Sequence, residues 1–185
     1  MSLRQQLFDN NYIVIDNFIT KKKAKELYKY FKDASIKYPE SFKDGDPQCP
    51  KSLAIQDFRW FLELLIDKVP FMSEVLEEPM FPTYSYARIY VNKEVLPKHT
   101  DRHACEVSVT LHLDGDGTEW PIWFTKPNGE QVSCNLKSGQ AVIYLGMISE
   151  HWRESFQGQE YGQVFLHYVR GRGENWVCYF DKFKK

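Results

Sequence analysis

The spacing of apolar and polar residues divides the chain into a part with helical periodicity followed by a part with strand periodicity. Residues 12–16 (YIVID) form a short β-type run. Segment 21–34 carries apolar residues at i, i+3, i+4 and i+7 behind Thr20, which can cap a helix. Segment 38–52 is rich in Pro, Gly and Asp and predicts a long loop, whereas 53–69 has a helical pattern.

The rest of the chain is predicted to form strands. Runs of β-type residues alternate with turn signals such as DGDG and PNGE, and they span 83–91, 105–113, 119–125, 130–136, 140–146, 162–169 and 175–180. This number and spacing of strands is typical of a sandwich or barrel. We predict a single domain, 1–185, of the α+β class, with a mostly helical support region (1–81) packed on a jelly-roll, cupin-like core (82–181).

Composition narrows the possible partners. The 185 residues include 24 basic and 25 acidic side chains, so a nucleic-acid or membrane partner is disfavoured, because both reward basic patches. The four cysteines form no CxxC pair, which argues against a zinc ribbon or a thioredoxin-type motif. We find no signal peptide and no apolar run of the ~20 residues that a membrane span needs. A cytoplasmic location is the expectation.

The candidate chemistry lies in a His-x-Asp motif and a distant histidine. His99 and Asp101 follow a strand through a Pro-containing turn, and His151 follows the strand 140–146. Two imidazoles and one carboxylate form the facial triad of non-haem Fe(II) oxygenases, in which three coordination positions stay open. His103 is the rival ligand, and a solvated turn is the alternative interpretation of the motif.

These segments resemble the 2-oxoglutarate- and Fe(II)-dependent dioxygenases, in particular the prolyl-4-hydroxylase-like branch. The similar stretches are NYIVIDNFITKKKAKELYKYF, YARIYVNKEVLPKHTDRH and LKSGQAVIYLGMISEHWRESFQG, which together cover much of the chain. The resemblance implies a double-stranded β-helix and iron bound by His99, Asp101 and His151. It also implies 2-oxoglutarate as a chelating cosubstrate, O2, and ascorbate as an optional reductant.

The sequence departs from that family at one functional position. The family usually has an Arg or Lys about ten residues beyond the distal histidine, where it binds the far carboxylate of 2-oxoglutarate. No Lys or Arg occurs here between Arg153 and Arg170. We expect the cosubstrate to be bound instead by four residues of two predicted strands, which are Arg88, Tyr90, Gln163 and His167.

The resemblance implies hydroxylation of an unactivated C–H bond. Asp101 supports this, since halogenating relatives have a small residue at that position. A prolyl residue of a peptide or protein is the favoured substrate, and 38–52 could act as a lid. The alternatives are a catalytically silent, cupin-like metal-binding module and an oxygenase acting on a small molecule or a nucleobase. Arg102 and Arg153 could contact substrate or form ordinary salt bridges, and the oligomeric state stays open.

Overall fold

The computed structural model of the protein describes residues 1–182, which form two antiparallel sheets and four α-helices. The helices are α1 (Leu3–Asn10), α2 (Lys21–Lys37), α3 (Arg59–Asp67) and α4 (Val69–Leu76). The strands are β1 (Tyr12–Ile15), β2 (Lys43–Asp44), β3 (Leu53–Gln56), β4 (Met80–Val91), β5 (Leu96–His99), β6 (Val107–Gly115), β7 (Ile122–Thr125), β8 (Gln131–Cys134), β9 (Ala141–Tyr144), β10 (His151–Arg153) and β11 (Glu160–Arg170).

The sheets form a jelly roll, as predicted. The large sheet has the order β1-β9-β6-β11-β4-β3-β2, and the small sheet has the order β5-β10-β7-β8. Helices α2, α3 and α4 pack against strands of the large sheet. The predicted α+β class and the packing of the N-terminal helices on one sheet are therefore confirmed. The region 1–81 also supplies β1, β2 and β3 to the large sheet.

The large sheet has two chemically different faces because side chains alternate along each strand. On β11, Val164 and Leu166 belong to the apolar core that includes helix residues such as Leu27 and Phe61. The alternate residues Gln163 and His167 point away from that core, towards the small sheet. The helix-facing side is thus aliphatic, and the side between the sheets carries polar and aromatic groups.

Helix α2 begins where the sequence predicts. The Thr20 side chain accepts a hydrogen bond from the backbone N–H of Lys23, which satisfies one of the free donors of the first turn. Its buried residues Ala24, Leu27 and Phe31 lie on the face that packs on the sheet. Helix α1 was not predicted; its Ser2 side chain caps it by accepting from the N–H of Gln5.

Two predicted elements are wrong. Residues 53–56 form strand β3 rather than helix, because they pair with β4 before Asp57, at φ 51°, redirects the chain into α3. Residues 175–180 lie in a 3-10 segment, Glu174–Asp181, rather than a strand. The preceding strand β11 is flanked by β6 and β4, so it offers no free edge for a following hairpin.

None of the helices within residues 1–182 is both long enough and apolar enough to span a membrane.

Candidate metal centre

The two histidines of the predicted triad lie on adjacent strands of the small sheet. His99 ends β5 and His151 begins β10, and the two are direct partners in the antiparallel pairing. Their ring centroids are 4.3 Å apart. Asp101 follows β5, and its Oδ1 lies 3.6 Å from Nε2 of each histidine. One candidate ligand atom from each of the three residues therefore lies within 4.8 Å of the other two.

Backbone carbonyls determine which nitrogen of each histidine carries the proton. His99 Nδ1 lies 2.7 Å from the carbonyl oxygen of Pro97, and His151 Nδ1 lies 2.9 Å from that of Ser149. A carbonyl can only accept, so each Nδ1 is the donor and each Nε2 keeps its lone pair. The tautomer that a metal ligand needs is thus set before any ion binds.

Asp101 is oriented by its neighbours. Its backbone N–H donates to the carbonyl of Gly146 at 2.8 Å, and its Oδ2 accepts from the Ser108 hydroxyl at 3.0 Å. A Cβ on Gly146 would lie 2.5 Å from that Oδ2, so the close approach requires glycine. With Oδ2 bound to Ser108, Oδ1 is left facing the histidines.

Burial controls the protonation of the three ligands. It raises the pKa of Asp101 to about 6, and it lowers the pKa of His151 to about 4. Burial, followed by the neighbouring His151, lowers the pKa of His99 as well. At neutral pH the site is therefore one carboxylate between two neutral imidazoles, which suits a divalent cation.

A second group of possible ligands shares the carboxylate. Asp101, Cys105 and His167 place one ligand atom each within 4.8 Å of one another. Burial keeps the pKa of Cys105 far above its ordinary value, and its sulfur lies 3.1 Å from the Tyr84 hydroxyl. A thiol that stays protonated is a poor ligand, so the group with two free Nε2 atoms is the better metal site.

The triad opens into a cavity of about 300 Å³ between the two sheets. That volume is at the lower end of the range for small-ligand pockets. Besides the triad, its wall is formed by Asp46, Pro47, Gln48, Tyr84, Tyr86, Arg88, Leu96, Tyr144, Phe165 and His167. The metal site is accordingly open on one side rather than enclosed by protein ligands.

The cavity wall contains Arg88, which already has an anionic partner. Asp46, from the predicted 38–52 loop, accepts at Oδ2 from Arg88 Nη2 at 2.6 Å, from Arg88 Nε at 2.9 Å and from the Tyr86 hydroxyl at 2.8 Å. Gln48 of the same loop accepts from Arg88 Nη2 at 3.0 Å. The loop predicted as a lid is thus fastened to the cavity by a buried ion pair.

The other predicted cosubstrate ligands lie at different depths. His167 lines the cavity, and its Nδ1 lies 2.8 Å from the Ser108 hydroxyl. Tyr90 is fully buried, with its hydroxyl 3.2 Å from Arg88 Nη1. Gln163 is also fully buried and lies 3.4 Å, through Oε1, from Arg153 Nη2. The structure therefore joins Arg88 to Tyr90 and Gln163 to Arg153, as two separate groups.

The two arginines left open by the sequence have different surroundings. Arg102 is half-exposed and forms an ion pair with Asp181 at 2.8 Å. Arg153 is buried between the sheets, and its Nη1 donates to the carbonyl of Trp120. His103 is exposed, and none of the groups of potential metal ligands found within residues 1–182 includes it.

Sequence reasoning missed three residues that shape this site. Ser108 gave no signal beyond its position on the inner face of a strand, three residues after Cys105. Asp46 and Gln48 lie in a loop whose composition predicts only irregular structure. An unpaired Arg88 on an inner face could have suggested that some acidic residue must approach it, since a buried charge needs a partner.

Comparison with known proteins shows which fold this is. No protein-family model and no curated protein sequence matches the chain. Among solved structures, a prolyl-4-hydroxylase from Pseudomonas putida is 13% identical, with a TM-score of 0.71 over 92% of this chain and 98% of that one. HygX from Streptomyces hygroscopicus, solved with nickel and 2-oxoglutarate bound, is 11% identical, with a TM-score of 0.70 over 91% and 87%.

A third neighbour widens the range of chemistry found on this fold. SnoK, a non-haem α-ketoglutarate-dependent carbocyclase from nogalamycin biosynthesis, is 9% identical, with a TM-score of 0.75 over 91% of this chain and 83% of that one. The structural neighbours are 2-oxoglutarate/Fe(II)-dependent dioxygenases, as the sequence resemblance implies. At these identities the likeness establishes the jelly-roll fold.

Proposed function

We propose that this protein is a non-haem Fe(II) oxygenase that uses 2-oxoglutarate and hydroxylates an unactivated C–H bond. The observation that carries the proposal is the convergence of two unprotonated Nε2 atoms and Asp101 Oδ1 at the mouth of an open cavity. Three protein ligands leave coordination positions for a cosubstrate and O2. Structural neighbours solved with iron or nickel and 2-oxoglutarate support the same choice of cofactors.

The residues present fit this metal centre. His99, Asp101 and His151 would hold Fe(II), which together with 2-oxoglutarate and O2 supplies the oxidising chemistry while the cosubstrate loses CO2 and becomes succinate. The carbonyls of Pro97 and Ser149 keep both imidazoles in the ligating tautomer. The aromatic rings along the cavity wall provide apolar surface beside the metal site.

For the substrate, we propose a prolyl residue of a peptide or protein. Tyr84, Tyr86 and Phe165 line the cavity and offer flat apolar surfaces against which a pyrrolidine ring can pack. One of the structural neighbours is a prolyl-4-hydroxylase. A small molecule is the second candidate substrate, since the cavity of about 300 Å³ is also of the size that binds one, and HygX was solved with hygromycin B.

The test is product formation from matched peptides. The protein is loaded with Fe(II) and incubated with 2-oxoglutarate, O2 and a set of proline-containing peptides, each paired with the same peptide in which Pro is replaced by Ala. We expect succinate and an added oxygen atom with the proline peptide only, and neither in the Asp101→Ala variant. Succinate formation that no peptide stimulates, but that a small-molecule panel does, would favour the second candidate. Iron binding without any succinate would contradict the oxygenase and favour a silent metal-binding module.

A further inference from the structure

Arg153 is a buried cation without an anionic partner among residues 1–182. Its side chain is 1% exposed, and it takes part in none of the ion pairs formed within residues 1–182. Nη1 and Nη2 donate to the carbonyl of Trp120 and to Gln163 Oε1, whereas Nε has no hydrogen-bond partner in the described part of the chain. A buried charge is costly unless it is paired and hydrogen-bonded, so this arrangement indicates that a ligand supplies the missing anion.

The immediate surroundings compensate the charge only in part. The guanidinium carbon lies 4.7 Å from the ring centroid of Trp120 and 5.0 Å from that of Tyr161. Aromatic faces attract a cation through their quadrupoles but carry no net charge. The two rings hold the guanidinium in place and leave its positive charge available to an anion.

Arg153 lies on the same face of β10 as the metal-ligand candidate His151. It is two residues after His151 on β10, and both are buried, whereas Trp152 between them is only partly so. Its partner in the strand pairing is Leu96, which lines the cavity. Phe165, on the same face of β11 as its hydrogen-bond partner Gln163, also lines the cavity, so Arg153 is held between two strands that form the cavity wall.

The hydrogen bond to Gln163 places this charge opposite the end of β11 where the related dioxygenases are expected to carry their cation. Gln163 is twelve residues beyond His151, within the segment that lacks any Lys or Arg. The Arg153 Nη2 atom is 3.4 Å from the Gln163 side chain. The Arg153 guanidinium thus supplies a positive charge in that region, but from strand β10 of the small sheet rather than from β11.

Arg88, the other arginine of the inner face, is less suited to a second carboxylate. Three of its hydrogen bonds go to Asp46 and Gln48, and Asp46 neutralises its charge in a pair whose side chains are 7% and 12% exposed. An incoming carboxylate would have to displace Asp46 and the loop that carries it. Arg153 requires no such displacement of charge.

The geometry points to Arg153 as the residue that binds the far carboxylate of the 2-oxo acid cosubstrate, with Gln163 beside it. This inference rests on the proposed function, because it assumes that the cosubstrate chelates the metal at the triad. Leu96 and Phe165 line the cavity in front of this pair, so we expect their side chains to move apart when the dicarboxylate enters.

The experiment compares two 2-oxo acids that chelate the metal alike. With Fe(II) in the absence of O2, the visible charge-transfer band is titrated with 2-oxoglutarate and with 2-oxopentanoate, which has a methyl group in place of the far carboxylate. We expect the wild-type protein to prefer 2-oxoglutarate by about 100-fold, the order expected for one buried charge pair. Arg153→Gln should reduce this preference to within a few-fold, and Arg153→Lys should restore part of it.

Arg88→Gln is the matched control, because it removes a second inner-face arginine without touching Arg153. We expect it to keep the preference for the dicarboxylate. If Arg88→Gln abolishes the preference and Arg153→Gln retains it, the inference is overturned. If Arg153→Gln does not fold, a crystal structure of the wild-type protein with Ni(II) and 2-oxoglutarate decides, since it shows which arginine the carboxylate contacts. A wild-type protein that binds iron but gives no band with either acid contradicts the proposed function itself.

Discussion

The two faces of the large sheet are made from the same strands but serve different purposes. On β6 and β11 the residues Val109, Leu111, Val164 and Leu166 face the helices and are completely buried in an apolar core. Their immediate neighbours in sequence face the small sheet and hold hydroxyl, amide and imidazole groups, as Ser108 and His167 do. Alternation along one strand therefore separates what holds the fold together from what forms the site.

This difference predicts which property of the protein a substitution on each face should change. Removing an aliphatic side chain from the helix face costs transfer free energy and leaves a cavity, without changing the ligand atoms. Removing a polar group from the inner face changes the metal site, while little apolar burial is lost. Variants of adjacent residues can test this separation because they share strand, depth and backbone.

The largest effect is expected from Asp101→Ala. Loss of one of three ligands, and of the only carboxylate among them, should weaken Fe(II) binding about 1,000-fold. The midpoint of thermal unfolding of the metal-free protein should not fall, because the variant also removes a carboxyl group that is costly to bury. Calorimetric titration with Fe(II) and a melting curve check both parts. A large loss of stability would contradict the claim that the helix-facing side determines stability and the inner face determines metal binding.

The second largest effect is a loss of stability, expected from a substitution on the helix-facing side of the large sheet. Leu166→Ala should lower the free energy of unfolding by about 2–5 kcal/mol, because Leu166 is fully buried in the core. Denaturant titration measures this, and Fe(II) affinity measured in parallel should change by less than about twofold. His167→Ala, at the adjacent residue, is the matched variant. It removes a polar group from the inner face, so we expect it to change Fe(II) affinity more than the free energy of unfolding. The separation fails if Leu166→Ala weakens metal binding as strongly as it weakens the fold.

The pH dependence of Fe(II) binding tests the protonation states of the three candidate ligands on the inner face. Burial raises the pKa of Asp101 to about 6 and lowers that of His151 to about 4, with the pKa of His99 also lowered. Just below pH 6 the ion must displace one proton, from Asp101, so the affinity should begin to fall there by about tenfold per pH unit.

A steep decline that already begins near pH 6.5 would mean that the histidines are not buried as described. Two imidazoles with ordinary pKa values near 6.5 would each take up a proton, and the affinity would then fall about 100-fold per pH unit between pH 6.5 and 6, before Asp101 titrates. The measurement is a series of Fe(II) titrations between pH 7.5 and 5. The Ser108→Ala variant, which lacks the hydroxyl that donates to Asp101, is titrated in parallel.

The smallest effect is expected from Ser108→Ala. Its hydroxyl donates to Asp101 Oδ2 at 3.0 Å, so its loss leaves the carboxylate free to rotate. Outer hydrogen bonds of this kind change metal affinity by about 10-fold or somewhat more. Val109→Ala is the matched variant on the opposite face and should leave the affinity unchanged. Equal Fe(II) affinity of Ser108→Ala and the wild-type protein would show that Asp101 is positioned by other contacts.

Much of the architecture follows from local pattern, because period and propensity act within a few residues. The strand pattern of residues 83–91 correctly predicts β4, and Thr20 correctly predicts the start of α2. Only the start of the segment 53–69 is predicted wrongly, because residues 53–56 are too few for their apolar pattern to separate a helix from a strand that pairs with β4. The strand predicted at 175–180 failed for the opposite reason, because β6 and β4 already occupy both sides of the preceding strand β11.

The candidate site likewise contains residues that the sequence could identify and residues that it could not. The three metal-ligand candidates carry a motif and a strand context, so they could be named from the sequence. Asp46 and Arg153 could not, because their roles arise from contacts that are distant along the chain, such as Asp46 with Arg88 and Arg153 with Gln163. Which of two arginines has an anionic partner is a property of the packed molecule.

The most direct test of the iron centre is an anaerobic titration of the Fe(II)-loaded protein with 2-oxoglutarate, followed in the visible spectrum. We expect a weak metal-to-ligand charge-transfer band that saturates with the cosubstrate and that is absent from the Asp101→Ala and His151→Ala variants. Leu166→Ala, measured where it is folded, should show the same band as the wild-type protein. Iron that binds at the triad without producing any band on addition of 2-oxoglutarate would contradict the assignment.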